Sequence, residues 1–304
     1  MKAWIVFVCL SIVLLFLLTA CNLIQASAPV NNSRILVITQ TADSVENSFI
    51  HISDPVMEHV DQIIKVGKSR NNQANVFSKV GDSITVSRGF LYSFGTSSYD
   101  LGPHDYLDTV IDFYKAGTAR TSNSFANQSL AAGEGWAAWG VLNPDLADTH
   151  LCVSGESPLV CEYRIVRPAV ALIMFGTNDV GYRTGGQFRS DMSQIVNISI
   201  EMGIVPILST IPNRPDISQR VDMFNNIIRD IAQEQRLPLI DYYTLTQYLP
   251  NYGLTSDNVH PSVPSMGYEG TAIFSDSNLR YGYTVRNLAS LQALYSILAY
   301  LTAS

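Results

Sequence analysis

Apolar, largely β-branched runs alternate along the chain with segments whose apolar residues recur every three to four positions. Residues 75–81 (NVFSKVG) read as a strand. So does 168–175 (PAVALIMF), which carries no charge, as a strand buried on both faces requires. Residues 204–209 (IVPILS) and 239–241 (LID) add two more, and 34–39 (RILVIT) is a further strand candidate. Between them lie helical patterns. Residues 54–66 place Val56, Val60, Ile63 and Ile64 on one face, and 105–114 do the same with Leu107, Val110, Ile111 and Tyr114. Residues 187–202 and 217–235 keep the same period, and the more apolar 285–302 is expected to pack hard on a sheet. Strands alternating with helices need crossover connections, and therefore a parallel sheet. The pattern predicts one three-layer α/β domain over residues 29–304. Two stretches break the rhythm: 84–103, with Phe90, Tyr92, Phe94 and Tyr99, and the irregular 250–284. Long structureless loops inside a compact domain are usually functional.

Composition narrows the function classes. Of 304 residues, 47% are hydrophobic and 15% charged, which excludes disorder. The formal charge of −7 repels phosphate backbones, so nucleic acid is not an expected partner. A Val66-Gly67-Lys68-Ser69 run lacks the first glycine of a phosphate-binding loop, because Gln62 stands there. No Gly-x-Ser-x-Gly elbow occurs, which argues against the ordinary α/β-hydrolase fold.

The N-terminus reads as an address. Lys2 precedes an apolar run over 3–18, followed by small residues, the layout of a secretory signal. Its end, Leu18-Thr19-Ala20-Cys21, resembles a bacterial lipobox, which implies cleavage before Cys21, acylation of its thiol and a lipid anchor in the membrane. Two alternatives stay open: an ordinary signal cut near Ala26-Ser27-Ala28, disfavoured by Pro29, and an uncleaved span, since ~18 apolar residues is just long enough. All three export residues 30–304, to the cell surface or periplasm, and exclude 1–28 from the fold. The remaining cysteines, Cys152 and Cys161, read as a disulfide closing a local loop in an exported chain, with two free buried thiols as the other reading. No metal site is expected, since neither a CxxC pair nor a histidine pair at ligand spacing accompanies them.

Three short motifs sit where a parallel sheet would bring them together. Gly81-Asp82-Ser83 closes the first strong strand, Gly176-Thr177-Asn178-Asp179 the second, and Asp257-Asn258-Val259-His260 lies beyond the last. Open parallel sheets bind ligands outside the carboxyl ends of their strands. A serine hydroxyl needs an adjacent base, which His260 supplies, and a carboxylate such as Asp257 must hold that ring in the right tautomer. A tetrahedral oxyanion needs fixed donors, for which the Asn178 amide and the Ser83 backbone N–H are candidates.

These residues resemble the SGNH (GDSL-type) hydrolase superfamily. The resemblance spans Ser83 to His260, with Ile84 where the first motif more often has Leu. It implies a flavodoxin-like α/β/α sandwich on about five parallel strands. The implied activity is ester hydrolysis through an acyl-serine, without metal or organic cofactor. By position, Ser83 matches the nucleophile, Asn178 an oxyanion donor, and Asp257 and His260 the rest of the triad. The family's second backbone donor is a glycine between the first two motifs, matched here by Gly133, with Gly135 as the fallback. Asp82 and Asp179 read as structural. The substrate expected is a small-molecule or glycan ester. Acyl transfer to a glycan, or a non-catalytic surface module that kept the fold, are the alternatives. Trp136, Trp139 and the aromatics at 90–99 read either as core anchors or as the lining of an acyl or sugar pocket beside Ser83.

Overall fold

The structure is a computed structural model that describes residues 53–96 and 98–303. The segment 1–28 with Cys21, and the strand candidate at 34–39, lie outside the described residues. In chain order the elements are α1 (Asp54–Ser69), β1 (Gln73–Gly81), the short α2 (Ser83–Val86) and α3 (Tyr92–Thr96), and α4 (Asp108–Lys115). Then come α5 (Pro158–Val166), β2 (Pro168–Met174), the short α6 (Asp179–Tyr182), α7 (Gly185–Glu201) and β3 (Val205–Ser209). The chain ends with α8 (Ser218–Glu234), β4 (Leu239–Ile240), α9 (Tyr242–Thr246) and α10 (Gly282–Thr302).

The strands form one parallel sheet in the order β1-β2-β3-β4. Val80, Ile173, Leu208 and Leu239 stand in register across it, so the strands' carboxyl ends finish at one rim. All seven residues of β2 are buried, as its uncharged sequence requires. Helices cover both faces. α10 packs on α1 and α4, while α7 packs on α8 and joins α5 through the Tyr163 hydroxyl and Ser199 Oγ (2.9 Å). Cys152 and Cys161 are joined as a disulfide that ties the preceding loop to α5.

About five strands were predicted, and four form among the described residues. On the outer edge of β1 the segment 124–133 runs alongside without becoming a strand. Only Gly81 and Ala132 make a ladder contact there: Gly81 N–H donates to Ala131 O (3.2 Å) and Gly133 N–H to Gly81 O (3.1 Å). Farther along, side chains replace the ladder. Phe77 N–H donates to Ser124 Oγ (2.8 Å), and the buried Lys79 ammonium donates to Phe125 O (2.8 Å). Ser and Asn offer the backbone such alternatives to a ladder, and this stretch carries Ser124, Asn127 and Ser129. The buried Glu162 carboxylate of α5 fastens it from behind, accepting from Ser78 Oγ (2.7 Å) and Leu130 N–H (2.9 Å).

α5 carries no long periodic signal, being nine residues with a partly polar sequence. Its start is nevertheless written locally: Ser157 caps it by accepting from Val160 N–H, and Pro158 occupies the first turn. The helix predicted over 105–114 begins as a 3₁₀ turn at Gly102–Leu107 and becomes α-helical from Asp108.

Candidate active site

β1 delivers Ser83 to the sheet rim through a turn that admits little variation. A Cβ on Gly81 would lie 2.3 Å from Thr85 Oγ1 and 2.6 Å from Met174 O, so only glycine lets β1 end this close to β2 and α2. Asp82 caps α2, its Oδ1 accepting from Ile84 N–H at 3.0 Å. Ser83 is the first residue of that helix, and its N–H has no intrahelical acceptor. Burial pushes the Asp82 carboxyl up to about 6, against the opposing pull of the Ile84 N–H, Arg286, Thr177 and His260.

The loop after α9 brings the imidazole to the hydroxyl. Ser83 Oγ and His260 Nε2 are 3.1 Å apart, although 177 positions separate them in sequence. Asp257 Oδ2 faces His260 Nδ1 at 2.7 Å. Its Oδ1 accepts from Thr255 Oγ1 (2.6 Å), Val259 N–H (2.9 Å) and His260 N–H (3.0 Å). Partial burial raises the affinity of Asp257 for its proton. The bonds from Thr255, His260 and Val259 outweigh that effect and hold the carboxyl well below the usual carboxylate range. The loop is anchored at both ends: Thr255 N–H donates to His260 O (2.8 Å), and Tyr283 N–H of α10 to Ser262 O (3.1 Å).

The turn after β2 carries Asn178. One hydrogen of its amide donates to Trp136 O at 2.8 Å, which leaves the other free for a ligand. Asp179 is fully buried and accepts from Ala138 N–H with both oxygens (3.0 and 3.1 Å), tying the 133–138 segment to the Asn178 turn. Burial pushes its carboxyl up to about 7, the Ala138 N–H opposing and the charges of Asp82 and Asp191 adding to the rise. Gly133 lies on the same segment, but its N–H donates to Gly81 O (3.1 Å). A Cβ there would fall 2.2 Å from the Trp136 indole, so the residue must be glycine. Gly135, at φ 72°, has no hydrogen-bond partner on its N–H among the described residues.

Arg286 was not anticipated. Its guanidinium, buried in α10, donates to Ile84 O (2.7 Å) and Thr85 Oγ1 (2.9 Å), the residues directly after Ser83. It lies 3.6 Å from the centre of the Phe90 ring. The Tyr283 hydroxyl donates to the same Ile84 carbonyl (3.2 Å). The sequence did carry a signal: Arg286 is the lone charge in the apolar stretch 285–302. Of the aromatics singled out, Phe90 and Phe94 are core residues, Tyr99 and Trp136 pack against the core, and Trp139 is exposed. Among the described residues one group of metal-ligating atoms gathers, Cys152, Glu156 and Cys161, and its two sulfurs are bonded to each other.

Comparison with solved structures finds relatives of low identity. A catalytic mutant of an acetylxylan esterase from Geobacillus stearothermophilus is 16% identical, with 72% of this chain and 93% of that one covered and a TM-score of 0.44. A GDSL-like lipase from Bacteroides thetaiotaomicron is 14% identical, covering 79% and 98%, at 0.44. A carbohydrate esterase family 3 protein from Talaromyces cellulolyticus is 17% identical, covering 71% and 97%, also at 0.44. No curated protein sequence matches significantly. A family model matches residues 80–265, from the strand end before Ser83 to just past His260, and by that match the chain belongs to the GDSL-like lipase/acylhydrolase family of carboxylic ester hydrolases.

Proposed function

We propose that the protein is an exported serine esterase in which Ser83 is the nucleophile, His260 the general base and Asp257 the residue that orients it. One observation carries this reading: the hydroxyl–imidazole approach of 3.1 Å, backed by a carboxylate 2.7 Å from the far ring nitrogen. An ionised Asp257 can only accept, so Nδ1 carries the hydrogen and Nε2 is left to accept from the serine. Ser83 Oγ attacks the ester carbonyl carbon as its proton passes to Nε2. The oxyanion is held by Ser83 N–H, the free hydrogen of the Asn178 amide and a glycine N–H of the 133–135 stretch. Gly133 serves only by sharing the hydrogen it gives to Gly81, whereas the Gly135 N–H has no competing acceptor. Collapse of the intermediate breaks the bond to the alcohol, which takes the proton from His260. Water then attacks the acyl-serine by the same route in reverse.

Substituting Ser83→Ala is expected to lower p-nitrophenyl acetate turnover by several orders of magnitude with no change in the unfolding midpoint. Turnover near wild type would refute the nucleophile. We further propose that Cys21 is lipidated and anchors the exported chain. Cells expressing the protein should incorporate a clickable palmitate analogue, and Cys21→Ala should abolish the label.

A further inference from the structure

Trp139 and Tyr182 form an aromatic pair on the surface, 37% and 60% exposed. Their polar ends meet, the indole Nε1–H donating to the Tyr182 hydroxyl at 3.0 Å. Both arms of the pair grow out of the oxyanion side of the site. Asn178 is already helical in φ and ψ, and Tyr182 lies four residues on, at the end of α6. Residues four apart on a helical turn share a face, so Tyr182 stands about one turn beyond Asn178. Trp139 lies three residues past Trp136, whose carbonyl holds that amide, and one past Ala138, whose N–H is held by Asp179. α6 is fixed from below by Arg220, which donates to Val180 O and Arg183 O. The pair is therefore a fixed ledge rather than two free side chains.

We propose that this ledge is a subsite for a pyranose ring, so that the ester cleaved at Ser83 is carried by a sugar; the proposal rests on the serine-esterase reading. An acyl chain is best bound in an enclosed apolar groove, and these rings stand open to water. A pyranose needs the opposite surface: a flat aromatic face for its C–H side and wet edges for its hydroxyls. The Tyr182 oxygen accepts from the indole and keeps its own hydrogen to donate to a sugar hydroxyl. Because the ledge is fixed before the substrate arrives, little ordering opposes binding.

Glucose pentaacetate and triacetin carry the same acetyl ester, on a ring and on an acyclic triol. Trp139→Ala and Tyr182→Ala should each raise KM for glucose pentaacetate about tenfold, the scale of one lost aromatic contact, and leave triacetin kinetics unchanged. Trp139→Phe should recover part of the loss. An equal change on both esters, or no change on either, overturns the ledge while the esterase stands. If wild-type protein turns over neither ester and Ser83 resists a fluorophosphonate probe, the esterase reading falls and the ledge with it.

Discussion

Two buried carboxyls neighbour the candidate nucleophile and the candidate oxyanion donor: Asp82 precedes Ser83, and Asp179 follows Asn178. Burial lifts them to about 6 and about 7, from the ~3.9 of an unfolded aspartate. Between about pH 4 and pH 7 the folded chain therefore keeps protons that the unfolded chain has released, and stability falls as pH rises through that window. Glu162, also raised by burial, adds the same sign. Asp257 acts oppositely, but its depressed value confines its effect to lower pH, below ~3.9. Urea midpoints should decline from pH 5 to pH 7, and the decline should shrink in Asp179→Asn, whose amide oxygen still accepts from Ala138. A midpoint that rises over this range would contradict the assignment. Ser83, Asn178, Asp257 and His260 were legible in the sequence as candidates because the chemistry proposed for them restricts residue type: only a hydroxyl, an imidazole and a carboxylate or amide would serve. The commitment of the Gly133 N–H to Gly81 was not legible, since it depends on how the neighbouring segment lies against β1.

At the scale of elements, α10 does more than cover the sheet. Its first turns hold the Ser83 turn through Arg286 and Tyr283 and the His260 loop through the Tyr283 N–H. One helix thus fixes the spacing of hydroxyl and ring. Arg286→Met would leave the Ile84 carbonyl with only the Tyr283 hydroxyl, and the Thr85 hydroxyl without its donor, in the interior. It should cost about 3 kcal/mol of stability and lower kcat more than it raises KM. Arg286→Lys should recover little, because an ammonium cannot span both acceptors as the guanidinium fork does. Equal kcat in all three proteins would show that α10 only packs. The periodicity of apolar residues made α1, α4, α7 and α8 readable, the overall apolarity of 285–302 did so for α10, and uncharged runs for β2 and β3. The edge beside β1 was unreadable because its order comes from Ser124, Lys79 and Glu162 side chains rather than from a period.

Across the whole molecule, no helix among the described residues is long and apolar enough to cross a membrane. The Cys152–Cys161 bridge closes a loop of sequence separation 9, for which chain-entropy arguments give about 2–3 kcal/mol. Replacing the pair with Cys152→Ser and Cys161→Ala should lower the unfolding free energy by that amount while leaving ester turnover intact, since no hydrogen bond of either cysteine reaches Ser83, Asp257 or His260. Loss of turnover in a folded variant would instead couple the bridge to the site. The sheet's two margins carry a last consequence. One is β4, only two residues long. The other is draped by 124–133, whose bonds to β1 run largely through side chains. Among the described residues neither margin is a long open strand edge, the kind that presents a row of unpaired amides to a neighbouring molecule. The fold therefore offers little template for strand-by-strand association, and concentrated solutions of it should resist seeding into fibrils.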